Sequence, residues 1–98
     1  MIIAQVSISP IGVGINLGPY IKRIVKILED EPVNCYTNAM ATVIEAETTN
    51  QLFNAIKKAH EAMIAEAGVQ RVITELKIDH RIDKDARAQS KIDAVTTK

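Results

Sequence analysis

Three carboxylates, one thiol and two imidazoles are the groups here that can carry chemistry. Glu45 and Glu47 flank the end of an apolar run, and Glu75 lies inside another. Paired carboxylates can do acid–base work, and carboxylates near a helix start also favour its dipole. Glu45 is the most demanding, because it stands beside Ile44 on a segment that reads as a buried strand. Burial of its charge requires a partner, and Lys77, Arg71 or the amine of a ligand fits that role. Cys35 lies mid-strand with no histidine near it in sequence, which suits a small half-buried thiol better than a nucleophile. His60 and His80 share no ligand spacing with each other, with Cys35 or with a carboxylate motif, so no metal site is expected.

The loop Gly12-Val13-Gly14-Ile15-Asn16-Leu17-Gly18 follows one element and opens another. Free amides at such a junction can face a phosphate. The third glycine is one residue late for the dinucleotide fingerprint, however, and no Gly-Lys-Ser/Thr is present. A flexible turn with a glycine cap is the simpler reading.

The elements that hold these groups follow from periodicity. Residues 2–9 alternate, with Ile2, Ala4, Val6 and Ile8 on one side and Ile3, Gln5, Ser7 and Ser9 on the other, which predicts a half-buried strand. Pro19 suits a helix start, and Ile21, Ile24, Val25 and Leu28 form its apolar stripe until Pro32 ends it. Val33 to Thr37 and Met40 to Ala46 read as a hairpin turned at Asn38-Ala39. Thr48 with Gln51 resembles a capping box for a second helix, whose apolar side runs from Leu52 to Ala67, with Gly68 just past its end. Val69 to Asp79 reads as the last strand, with Arg71, Ile73, Glu75, Lys77 and Asp79 sharing one face.

Strand, helix, strand, strand, helix, strand predicts an α+β, ferredoxin-like βαββαβ sandwich. Right-handed crossovers give a four-stranded antiparallel sheet of order 4-1-3-2 with two helices on one face. The domain spans 1–82, and 83–98 is a polar C-terminal tail or short helix. The other sheet face is then bare. Tyr36, Met40 and Ile73 lie near it, where they can pack on a flat heterocycle or on a second subunit.

The totals narrow the function classes. The chain has 98 residues, 12 basic against 12 acidic side chains, and aromatics at only 3%. A neutral balance argues against nucleic acid as partner, since phosphate binding wants a basic surplus. The N-terminal segment lacks the basic and apolar regions of a signal peptide. No stretch approaches the ~20 apolar residues of a membrane span. A single cysteine fits a reducing, cytoplasmic setting.

Three segments in order carry a family likeness: Ile2-Ile3-Ala4 through Ser9-Pro10-Ile11-Gly12, then Tyr36-Thr37-Asn38-Ala39-Met40-Ala41-Thr42-Val43-Ile44-Glu45, and Arg71-Val72-Ile73-Thr74 with Lys77 to Lys84. Over about residues 1–84 the chain resembles the thiamine-binding-protein-like family. The resemblance implies the same fold, dimers pairing into tetramers, and a site for thiamine or its hydroxymethylpyrimidine part, with no catalytic residue and no cofactor. Ala41 stands where glycine is common in that family, and His80 where an acidic residue is common. A methyl at position 41 narrows a pocket. The ligand-binding set that fits such a heterocycle is Ser7, Ser9, Asn38, Met40, Thr42, Glu45 and Lys77. The expected function is non-catalytic binding of this ligand on the open face or between subunits. The alternative is an oligomeric interaction protein whose open face is mainly a subunit interface.

Overall fold

Alternation in the first nine-residue strand sets the sheet, and the computed structural model describes residues 1–96 around it. The elements are β1 (Ile2–Pro10), α1 (Gly18–Glu29), β2 (Asn34–Thr37), β3 (Thr42–Ala46), α2 (Thr49–Ile64), β4 (Val72–Asp79) and α3 (Ala88–Thr96). The strands form one antiparallel sheet in the order β2-β3-β1-β4, which is the expected order read from the opposite edge.

Register decides which side chains share a face. Ile2 pairs Ala46, Ala4 pairs Ile44 and Val6 pairs Thr42. These residues are buried beneath α1 and α2, where Ile24, Leu28, Leu52, Ala59 and Met63 complete the core. Ile3 pairs Glu45 and Asp79, and Gln5 pairs Val43 and Lys77, on the opposite face. Burying one large aliphatic side chain contributes about 1.5–3 kcal/mol, so this layer, rather than surface ion pairs, holds the domain together.

Several boundaries differ from the sequence pattern. The hairpin turn takes residues 38–41, closed by the Asn38 amide donating to the Ala41 carbonyl at 2.9 Å. Met40 therefore stands at the turn, 89% exposed, and β3 starts at Thr42. The second helix stops at Ile64 rather than Ala67, because the chain turns through residues 65–68 and Gly68 adopts φ +82. Alanine favours helix without requiring it, and so the apolar pattern ran past the true end. At its start Thr48 Oγ1 accepts from the Gln51 amide at 3.1 Å, while Gln51 Oε1 accepts from the Glu47 amide at 3.2 Å. The reciprocal arm of the box thus closes one residue before the cap.

The largest departure concerns the second sheet face. Two helices on one face were expected, with the other left bare. A third helix, α3, lies against that other face: the Ala88 amide donates to Glu45 and Lys91 pairs with Asp79, both open-face residues. The segment before it is tied down too, since the Met1 amino group pairs with Asp85 and Ala86 is buried. Residues 97 and 98, the end of the expected tail, lie outside the described residues.

Leu52→Ala, at a site with no solvent exposure, is expected to destabilise the fold by about 2–5 kcal/mol. Chemical denaturation of both chains measures the difference.

Candidate functional site

Glu45 is 2% exposed and fully engaged. Its Oε1 accepts from Tyr36 Oη at 2.8 Å and from Asn34 Nδ2 at 3.3 Å. Its Oε2 accepts from the Ala88 amide at 2.7 Å. β2 supplies the first two donors because Asn34 and Tyr36 sit on the same face of the sheet as Glu45. The third is the first residue of α3, so the carboxylate also meets the positive end of a helix dipole. Burial by itself pushes the carboxyl up and is the largest single influence. The three hydrogen bonds and the Arg87 guanidinium together outweigh it and hold the carboxyl below its ordinary value. Tyr36 is raised in turn, first by its hydrogen bond to Glu45.

The expected partners of Glu45, Lys77 and Arg71, are not the ones it finds. Lys77 is exposed on the outer strand β4, across from Gln5. Local neutral donors and a helix terminus satisfy the carboxylate at less cost than a long side chain stretched across two strands.

A concave site lies on the other, covered side of the sheet. A cavity of about 170 Å³ opens between α1, the end of β1 and the β2–β3 turn. Ile21, Ile24, Val25 and Leu28 of α1 form one wall. Val6 and Ile8 of β1 form the floor, and the turn from Thr37 to Ala41 forms the rim. The α1 stripe and the strand alternation that build the core also build this hollow, because the core is not filled to the sheet's end.

Of the expected binding residues, Ser7, Ser9, Asn38, Met40 and Thr42 line this cavity, whereas Glu45 and Lys77 do not. Thr42 faces the helices, in register with Val6, rather than the open face where it was expected. It is one of two buried polar residues among those described, Glu45 being the other. The cavity thus lies at the end of the sheet under α1, lined by Val6, Ile8 and Thr42 of the helix side and also by Ser7 and Ser9, which alternate onto the open side. The α1 residues were missed, since an apolar stripe at helical spacing reads as core whether or not a hollow lies beneath it. Ala41 is among the residues that line the cavity.

The remaining groups are accounted for locally. In the glycine loop the Gly18 amide donates to Asn16 Oδ1 at 3.2 Å, Pro19 has no amide hydrogen, and the Ile21 amide donates to the Leu17 carbonyl. Little of that helix terminus is left to face a phosphate. Gly12 and Gly14 serve the turn, with φ +84 and +97. Cys35 is half-buried, and burial, with the Glu29 charge adding, pushes its thiol up to about 11. His60 Nδ1 lies 2.6 Å from Thr74 Oγ1. Among the described residues no cluster of three metal-ligating side chains occurs, and no helix is long and apolar enough to cross a membrane.

The family model for thiamine-binding proteins matches residues 4–96. A UPF0045 protein of Methanothermobacter thermautotrophicus is 37% identical over 99 residues, covering 100% of this chain and 99% of the relative. The UPF0045 protein MJ1052 of Methanocaldococcus jannaschii is 34% identical over 94 residues, 96% of this chain and 91% of the relative. Its crystal structure superposes with a TM-score of 0.87, covering 96% of this chain and 94% of that one. A Thermotoga maritima protein provisionally assigned to thiamine biosynthesis or salvage shares the fold, with a TM-score of 0.81, at 14% identity, over 96% of this chain and 97% of that one.

The Glu45 contacts set a pH dependence. A carboxyl held low in the folded state adds stability that is fully present above its ordinary 4.5 and is lost as the pH falls through the folded value. The protection of residues 88–96 against hydrogen exchange, taken relative to the intrinsic rate at each pH, is expected to fall on acidification below that point. Glu45→Ala is expected to release α3 at neutral pH and to cost about 1.5–3 kcal/mol of stability, the usual scale for hydrogen bonds to a charged group.

Proposed function

Because the chain belongs to the thiamine-binding protein family, we propose that it binds thiamine or its hydroxymethylpyrimidine part, without catalysis, in the cavity beneath α1. The observation that carries this reading is the cavity itself: aliphatic walls, with Asn38 and Thr42 supplying an amide and a hydroxyl. Ligand sites usually span roughly 300–1,000 Å³, and 170 Å³ is less than that. It suits a single six-membered ring, as an apolar cavity of about 150 Å³ accepts benzene. The pyrimidine is then the buried part, and the rest of a thiamine molecule stays at the mouth beside Met40.

The reactive groups favour binding over turnover. The Glu45 carboxyl, held low and hydrogen-bonded on both oxygens, is a weak base. The Cys35 thiol, raised to about 11, is a weak nucleophile at neutral pH. Recognition by shape, amide and hydroxyl needs no cofactor. Nucleic acid and membrane stay outside this reading, and the cytoplasmic setting rests on Cys35 alone.

One observation favours the interaction reading beside it. On the open-face side Tyr36 is 48% exposed, Ile73 42% and Ile92 of α3 52%. These residues suit contact with another copy of the chain, as dimers or tetramers. Sedimentation velocity is expected to show an oligomer, and a monodisperse monomer rules this second reading out.

Titration calorimetry tests the first. Thiamine and hydroxymethylpyrimidine are each expected to give saturable heats, and Ala41→Leu, filling the rim, is expected to weaken binding by roughly tenfold or more, equivalent to about 1.4 kcal/mol. No heat from either compound at millimolar concentration ends the binding reading.

A further inference from the structure

The cavity contains no charge. None of the residues lining it is Asp, Glu, Lys, Arg or His. We infer that it admits its nitrogen heterocycle only in the uncharged form, so that a proton or any other charge on the buried ring excludes it. This rests on the proposed binding function and adds the charge state of the ligand to it.

On β4, Glu75 stands in register with the lining residue Ser7, but it is exposed and outside the lining itself; the other charges of the surrounding elements lie elsewhere. On α1, Lys22, Arg23 and Lys26 line a separate surface groove with Glu66, and Glu29 stands at the helix end. On β3, Glu45 faces the opposite side of the sheet and is held there by Asn34, Tyr36 and Ala88. On β2, Cys35 stays a thiol throughout the neutral and mildly acid range, since burial places it at about 11. Tyr20 of α1 and Tyr36 of β2 also stand outside the lining. β1 carries no ionisable side chain.

A charged ring entering this space loses its water and meets aliphatic walls, with hydroxyls and one amide as its polar company. Such groups do not replace the hydration of an ion. A neutral aminopyrimidine faces none of these penalties. Its binding then follows the neutral fraction, so affinity falls about tenfold for each pH unit below the ring's own pKa.

The test is titration calorimetry with 4-amino-5-hydroxymethyl-2-methylpyrimidine between about pH 8 and pH 5, a range above the ordinary 4.5 of Glu45, where α3 stays docked. The ligand's ring pKa is read in the same buffers by ultraviolet absorbance. The native chain is expected to lose affinity in parallel with ring protonation. Met40→Asp places a carboxylate at the rim, on a residue 89% exposed and so harmless to the fold, and is expected to flatten that loss. A native affinity that is level or rises as the ring protonates overturns the inference and leaves the binding function standing. A loss equally steep in Met40→Asp overturns it as well, because the fall then comes from the protein. Absence of binding at every pH removes the binding function itself.

Discussion

A buried carboxylate on a mostly apolar central strand organises one whole side of this protein. Glu45 follows Ile44, and strand alternation forces it onto the face that α1 and α2 leave open. In water it would need nothing. At 2% exposure it needs several donors, and the sheet alone offers only those of Asn34 and Tyr36. The amide of Ala88 completes the set, and with it the chain past β4 is drawn back across the sheet. Lys91 with Asp79, and the Met1 amino group with Asp85, steady the same segment. The helix covers the carboxylate, and the carboxylate caps the helix, so neither arrangement stands without the other.

That closure separates two kinds of chemistry by the thickness of one sheet. The open face holds the charges and their partners: Glu45, Asp79 with Lys91, and the exposed Lys77. The covered face holds aliphatic side chains and, at its end, a hollow rimmed by the β2–β3 turn. The hollow lies between α1, the end of β1 and the turn residues 38–41. A ligand that enters it meets shape and a few hydroxyls. A partner that approaches the other side meets a helix, a tyrosine and paired charges. The proposed binding and the proposed association therefore draw on separate surfaces of one small domain.

The family match extends over both sides of the sheet. The match over residues 4–96 takes in α3 as well as the sheet and its two covering helices. A relative with about a third of its residues in common keeps the same backbone, as the TM-score of 0.87 shows.

The sheet and its two long helices were legible along the chain, because strand and helix periods are local: Ile2, Ala4, Val6 and Ile8 announce a face, and Ile21, Ile24, Val25 and Leu28 announce another. Even the strand order followed, since short loops and right-handed crossovers leave few options. The same alternation singled out Glu45 as a group in need of partners, and Ser7, Ser9, Asn38, Met40 and Thr42 as polar or soft positions. Thr42 stands two residues before Ile44, so the same alternation puts it on the helix side, but the pattern could not say that a hollow lies beside it. Nor could it say that Ala88, 43 residues beyond Glu45, would supply the missing donor. Hydrogen bonds between distant segments and the hollow left by imperfect packing depend on where elements end in space. No local period records that, and so tertiary structure alone decided which face is closed and where the hollow lies.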